Sequence, residues 1–137
     1  MKPLEVVGLD VGKVRTGLAR GSMAAKLAEP MYSIPTAELT ARLKQIIAKS
    51  RADILVVGLP RNLDGRDTQQ TTWTRAWVNG IKKLVEVPIY WQDEALTTHQ
   101  ANSQQPKAKS LVDEHALAAA TILQDFLDSR EDLWVAT

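Results

Sequence analysis

Leu4-Glu5-Val6-Val7-Gly8-Leu9-Asp10, then Val11-Gly12-Lys13, then Val14-Arg15-Thr16-Gly17-Leu18-Ala19: a β-prone run, a turn containing glycine and a weakly alternating second run predict a hairpin whose first strand ends at Asp10. Working outward, Met31 to Ile34 reads as a third short strand closed by Pro35. Thr36 then offers an N-cap to a helix carrying Leu39, Leu43, Ile46 and Ile47 on one stripe and ending near Ser50. Ile54-Leu55-Val56-Val57-Gly58 is a continuous apolar run, the pattern of a strand buried on both faces of a parallel sheet. The loop Leu59 to Asp67 follows, with Pro60, Asn62, Asp64 and Gly65 as its turn residues. Trp73, Trp77, Val78, Ile81, Leu84 and Val85 return to helical spacing, and Pro88 to Gln92 forms the next strand, running into Asp93-Glu94.

Thr97-Thr98-His99-Gln100 has the form of a capping box and predicts a short helix, and Gln104 to Lys109 is a polar loop. A last helix is expected from about Leu111, with Ala116, Ala119, Ala120, Leu123, Phe126 and Leu127 on one side. The order of elements predicts an α/β fold: a mixed sheet with an antiparallel three-strand meander followed by parallel strands, flanked by helices. We expect a single domain over residues 1–137 with a loose tail at 129–137, where acids and the lone Trp134 replace the regular pattern.

With 45% hydrophobic and 24% charged residues, the 137-residue chain has a globular composition, which excludes a disordered or low-complexity class. Its net charge of +1 hides an asymmetry: residues 1–83 carry 14 basic against 7 acidic side chains, and the remainder 3 against 9. A basic face able to approach phosphate is therefore compatible with the near-neutral total. The absence of cysteine rules out a disulfide framework, a thiolate zinc site and a cysteine nucleophile. No apolar run approaches the ~18 residues of a membrane span, and no targeting segment precedes Asp10, so a cytoplasmic protein without membrane contact is expected.

Acids stand at the ends of elements: Asp10, the pair Asp93-Glu94, and Asp113 at the start of the final helix. Parallel strands would bring their C-terminal ends to one edge of the sheet, where sites in open α/β folds form. Carboxylates held there repel one another by about 4 kcal/mol per pair at roughly 4 Å in an effective dielectric near 20. A hard divalent cation, Mg²⁺ or Mn²⁺, relieves that repulsion, and such ions serve phosphodiester cleavage. Each acid also has a plainer role open to it: Asp10 as a turn cap, Asp93 and Glu94 as a solvated strand end, Asp113 as a favourable charge in a helix's first turn. Gly8, Gly12, Gly17, Gly58 and Gly65 suit turns or close backbone approach, and no P-loop pattern is present. His99 and His115 lack metal-ligand spacing and read as surface or packing residues; Trp73 and Trp77 read as core.

Together these segments resemble the YqgF/RuvX family of RNase H-like proteins, described as pre-16S ribosomal RNA nucleases or Holliday-junction resolvase homologues. Gly8 to Ala19 looks like its opening motif; Val56-Val57-Gly58-Leu59-Pro60 with Asn62, Asp64 and Gly65 is similar to its second; Asp93 to Thr98 resembles its third; Val112-Asp113 leading into Ala118 to Gln124 resembles its fourth. The resemblance spans nearly the whole chain in order. It implies an RNase H-like fold and a two-metal-ion endonuclease in which Asp10, Glu94 and Asp113 are the catalytic acids and hold Mg²⁺ or Mn²⁺. Asp93 is the alternative ligand, because adjacent strand residues face opposite ways. Lys13, Arg15, Arg61 and Arg66 are implied as contacts to the nucleic-acid backbone. Where the family carries arginine after Asp-Glu, this chain has Ala95, which removes a bidentate phosphate donor.

The implied substrate is pre-rRNA, at the 5′ end of 16S, with branched DNA as the alternative; the chain would act as a monomer or homodimer. Two further readings belong to other classes. An actin-like ATPase or sugar kinase shares the hairpin opening, but it needs a duplicated domain that 137 residues do not accommodate. A non-catalytic nucleic-acid-binding module would retain the acids without turnover, and metal binding separates it from the nuclease.

Overall fold

The computed structural model describes residues 3–61, 64–94 and 113–129. The chain runs β1 (Glu5–Val11), β2 (Arg15–Ser22), β3 (Glu29–Pro35), α1 (Thr36–Ser50), β4 (Ile54–Leu59), α2 (Gln69–Ile81) with a 3₁₀ turn at Lys82–Leu84, β5 (Ile89–Asp93) and α3 (Glu114–Ser129). The five strands lie in the order β3-β2-β1-β4-β5. The β1–β2 and β2–β3 pairs are antiparallel, whereas β1–β4 and β4–β5 are parallel. The expected meander followed by parallel strands is therefore present, with Asp10 on the central strand.

Each face of the sheet is sealed by a different set of helices. Val7, Leu9, Val11, Leu18, Leu55 and Val57 point to one side and meet Leu39, Leu43 and Ile46 of α1 and Val78 and Ile81 of α2. Val6, Ala19, Ile54 and Val56 point to the other and meet Ala119, Ile122, Leu123, Phe126 and Leu127 of α3. All six residues of β4 are buried, as the unbroken apolar run requires of a strand covered on both sides. The small residues along α3 let it approach closely, and Phe126 anchors it beside Tyr90 with ring centroids 5.8 Å apart. Trp73, Trp77 and Trp91 are partly buried against the α1/α2 core. Among the described residues no helix is long and apolar enough to cross a membrane.

Two local expectations are corrected. Thr36 does not cap α1: Pro35 holds the N-cap position without a side-chain bond, and Thr36 is the first helical residue. Its buried hydroxyl instead donates to the Gly12 carbonyl (2.6 Å) and lies 2.8 Å from the Thr16 hydroxyl, fastening α1 to the β1–β2 turn. The third strand is longer than Met31 to Ile34, because a register irregularity between Leu18 and Ala19 lets β3 pair on both sides of Met31. The last helix is described from Glu114. The expected start at Leu111, the helix expected around Thr97 to Gln100, Ala95, and most of the expected tail lie outside the described residues. A capping box unnoticed in the sequence opens α2, where the Thr68 hydroxyl accepts from the Thr71 backbone N–H and the Thr71 hydroxyl accepts from that of Thr68.

Candidate functional site

Strand register sets the site out in one row. Asp10 pairs with Gly17 across the hairpin, and Gly17 pairs with Ser33 on β3. On the other flank Gly58 lies one residue beyond the Leu9–Val57 pairing of β1 with β4. Residues directly opposite one another project to the same face. For this row that is the face covered by α3, since a Cβ on Gly17 would fall 1.9 Å from the His115 carbonyl oxygen.

The two glycines flanking Asp10 make room for the other acids. The space above Gly17 admits the first turn of α3, and with it Asp113. A Cβ on Gly58 would lie 2.6 Å from Glu94 Oε2 and 2.6 Å from Ile122 Cδ1, so the bare glycine accommodates the Glu94 carboxylate. Alternation along β5 puts Tyr90 on the α3 face and Trp91 on the other. Glu94 follows the parity of Tyr90 and reaches Asp10; Asp93 follows Trp91 and forms an ion pair with Arg61, which also lies 3.9 Å from Asp67.

Charge at the site reflects this crowding. Burial raises the pKa of Asp10, an effect opposed by the nearby His115. Glu94 is pushed up to about 7, first by burial and then by the negative charges of Asp10 and Asp93. Asp113 moves the other way. Its carboxylate accepts from the Ser33 hydroxyl at 2.5 Å, the largest cause of its lowered pKa, and from the backbone N–H groups of His115 (2.7 Å) and Ala116 (3.4 Å). It thus caps α3 from the residue just before Glu114 rather than sitting in its first turn.

The structure brings Asp10 and Glu94 together, stations Asp113 at the start of α3 on the same face, and sends Asp93 to Arg61. Among the described residues no three His, Asp or Glu side chains already converge as a metal cage. The donor chemistry nevertheless fits a hard divalent cation: two desolvated carboxylates repel each other, and a third on the same face of the sheet is kept ionised. Of the four basic candidates, Lys13 is exposed at the hairpin tip and the Arg66 side chain is 80% exposed beside Asp64. Arg15 and Arg61 are half-buried with internal partners, Ser33 for the first and Asp93 and Asp67 for the second.

Sequence reasoning overlooked Ser33, the charge of His115 toward Asp10, and the function of Gly17 and Gly58 as openings. The hairpin register, counted from the turn at Gly12, is the one signal that would have set Gly17 opposite Asp10. Nothing in the sequence marks Ser33.

The RuvX family profile, described as "Holliday junction resolvase", matches residues 4–129. A "Putative pre-16S rRNA nuclease" from Roseiflexus sp. (strain RS-1) is 34% identical to this chain, covering 94% of it and 97% of the relative. A protein of the same name from Gloeobacter violaceus is 35% identical, covering 95% of this chain and 87% of the relative. Among solved structures, T. thermophilus RuvC in complex with Holliday junction substrate superposes with a TM-score of 0.63 at 17% identity, covering 93% of this chain and 96% of that one. That likeness, with the strand order, makes the fold RNase H-like.

Proposed function

This chain belongs to the RuvX/YqgF family of RNase H-like nucleases, and from that premise we propose that it is a divalent-metal-dependent endonuclease that processes the 5′ end of pre-16S ribosomal RNA in the cytoplasm. The observation that carries the reading is the meeting of Asp10 and Glu94 over Gly58, where burial and mutual charge make two carboxylates costly without a cation.

Asp10, Glu94 and Asp113 would hold Mg²⁺ or Mn²⁺, which when bound activates water for attack and stabilises the departing oxygen. The remaining work belongs to the chain's own groups. Asp113 is ionised and oriented by its hydrogen bonds, so it is ready to bind a cation without first losing a proton. Glu94 must give up its proton near neutrality before it serves as a ligand. Lys13 and Arg66, exposed at loop tips, are suited to contact the phosphate backbone.

A second reading, resolution of four-way DNA junctions, is supported by the description of the family profile and by the fold of RuvC. It requires two active sites acting together, hence a homodimer. Cleavage of a precursor 16S transcript and of a four-way junction, side by side with Mg²⁺, Mn²⁺ or excess chelator, tests both. Metal-dependent cuts near the 5′ end of the transcript support the proposal. Paired incisions in the junction without RNA cleavage support the second reading. Binding without cleavage, together with no metal uptake, leaves a non-catalytic module.

A further inference from the structure

We propose that Ser33 is a positioning residue: its hydroxyl, oriented by Arg15, sets the rotamer of Asp113 and so presents that carboxylate to the cation. The proposal rests on the reading of Asp113 as a metal ligand.

The hydrogen-bond direction is fixed by the groups involved. Arg15 has donors only, and its Nε donates to Ser33 Oγ at 3.0 Å while a terminal nitrogen donates to the Ser33 carbonyl at 2.9 Å. An ionised carboxylate only accepts, so the single Ser33 hydroxyl proton goes to Asp113 Oδ2. The chain Arg15 to Ser33 to Asp113 therefore runs one way: the Nε contact occupies a lone pair of the hydroxyl, whose proton points at the carboxylate, and the second contact holds the guanidinium to the Ser33 backbone.

Position makes this hydroxyl stiff. Ser33 is 8% exposed on β3 and shares the row of Gly17 and Asp10. Without it, Asp113 is tied at Oδ1 alone, to the N–H groups of His115 and Ala116, and the plane of the carboxylate is free to turn about that oxygen. With it, both oxygens are fixed, and since Oδ1 already accepts two N–H groups, the lone pair left over for a cation is on Oδ2. Partners that orient a metal ligand in this manner typically contribute 10–100-fold to metal affinity or activity. Arg15, expected from the sequence to meet phosphate, spends two of its five donors here and retains the others for that contact.

The test is calorimetric titration of Mn²⁺ into the full chain and its variants, with binding of a fluorescent RNA in chelator and thermal melting measured in parallel. Ser33→Ala is expected to weaken Mn²⁺ binding about tenfold or more, with RNA binding in chelator unchanged. Ser33→Thr restores Mn²⁺ affinity because it restores the donor. Ser33→Cys fills the space with a weak donor and should behave as Ser33→Ala, which keeps the test decisive if the alanine variant melts early. Unchanged Mn²⁺ affinity in Ser33→Ala and Ser33→Cys, with binding lost in Asp113→Asn, overturns the role of Ser33 and leaves Asp113 as a ligand. Unchanged affinity in Asp113→Asn overturns both.

Discussion

The carbonyl oxygen of His115 occupies the space that any side chain at Gly17 would need, 1.9 Å from where its Cβ would stand. Because Gly17 lies opposite Asp10, the contact seats the start of α3, and Asp113 with it, over the strand that pairs with the one carrying Asp10. One missing methyl group thus links the packing of a helix to the assembly of the site.

Gly17→Ala and Gly58→Ala should fail in different ways. At Gly17 the obstruction is backbone, which cannot swing aside, so α3 must lift; a loss of about 3 kcal/mol is expected, at the upper end for overpacking. At Gly58 the obstructing atoms are Glu94 Oε2 and Ile122 Cδ1, the tips of flexible side chains. That variant should lose about 1 kcal/mol while displacing Glu94, so Mn²⁺ binding falls more than stability. Urea unfolding with Mn²⁺ titration of both variants checks this, and equal stability losses would contradict it.

Metal-free stability should decline as pH rises through the range set by Glu94. Its folded pKa, about 7, exceeds the ordinary glutamate value of 4.5, so between those values the folded state binds more protons than the unfolded one. By linkage, unfolding free energy falls across that window: the benefit of the protonated carboxyl is complete below about 4.5 and gone above about 7. Glu94→Gln removes this dependence and should be more stable than the parent at pH 8 by on the order of 2 kcal/mol, with little difference at pH 4. Asp10, also raised by burial, leaves a residual slope of the same sign. Urea titrations across pH in chelator measure it; parallel curves for parent and variant would refute the assignment.

Asp10→Asn keeps the shape of the side chain and removes its charge. Cleavage should fall by more than about 100-fold while the melting temperature holds or rises, because a desolvated anion has been deleted. The Glu94 pKa should drop yet stay above its ordinary value, since burial is its larger cause. Carbon-detected NMR titration of the Glu94 carboxyl reads the second effect, and normal turnover in Asp10→Asn would reject the mechanism. Excess chelator should abolish parent cleavage as completely as this substitution.

Ala95→Arg restores the cation that the family carries after Asp-Glu. Each phosphate contact adds about 0.9 to the slope of log affinity against log salt on duplex DNA and about 0.7 on single strands. The variant should bind nucleic acid more tightly, with its slope steepened by about one contact and Mn²⁺ affinity unchanged. A binding titration across a salt series measures both quantities. Unchanged affinity and slope would mean that another arginine already reaches that phosphate.

The sequence alone determined the order of the described elements, because periodicity is local: the run at Ile54 to Gly58 is apolar on both faces, and Leu39, Leu43 and Ile46 share a stripe whatever they later touch. It also placed Asp10 near the end of a strand, one residue before β1 ends at Val11. Only the tertiary structure shows that Glu94 lies toward Asp10 and Asp93 toward Arg61, orientations that depend on how β5 pairs with β4 and on the bare surface at Gly58. The arginines show the same division. Their charge is visible in the sequence, yet Arg15 finds Ser33 18 residues away, Arg61 finds Asp93 32 residues away, and Asp113 finds Ser33 across 80. A side-chain hydrogen bond spanning such separations exists only after strands and helices have become neighbours. Thr36 was misread for that reason: its hydroxyl suits a helix cap locally, but Gly12 and Thr16, carried to it by the meander, took the bond.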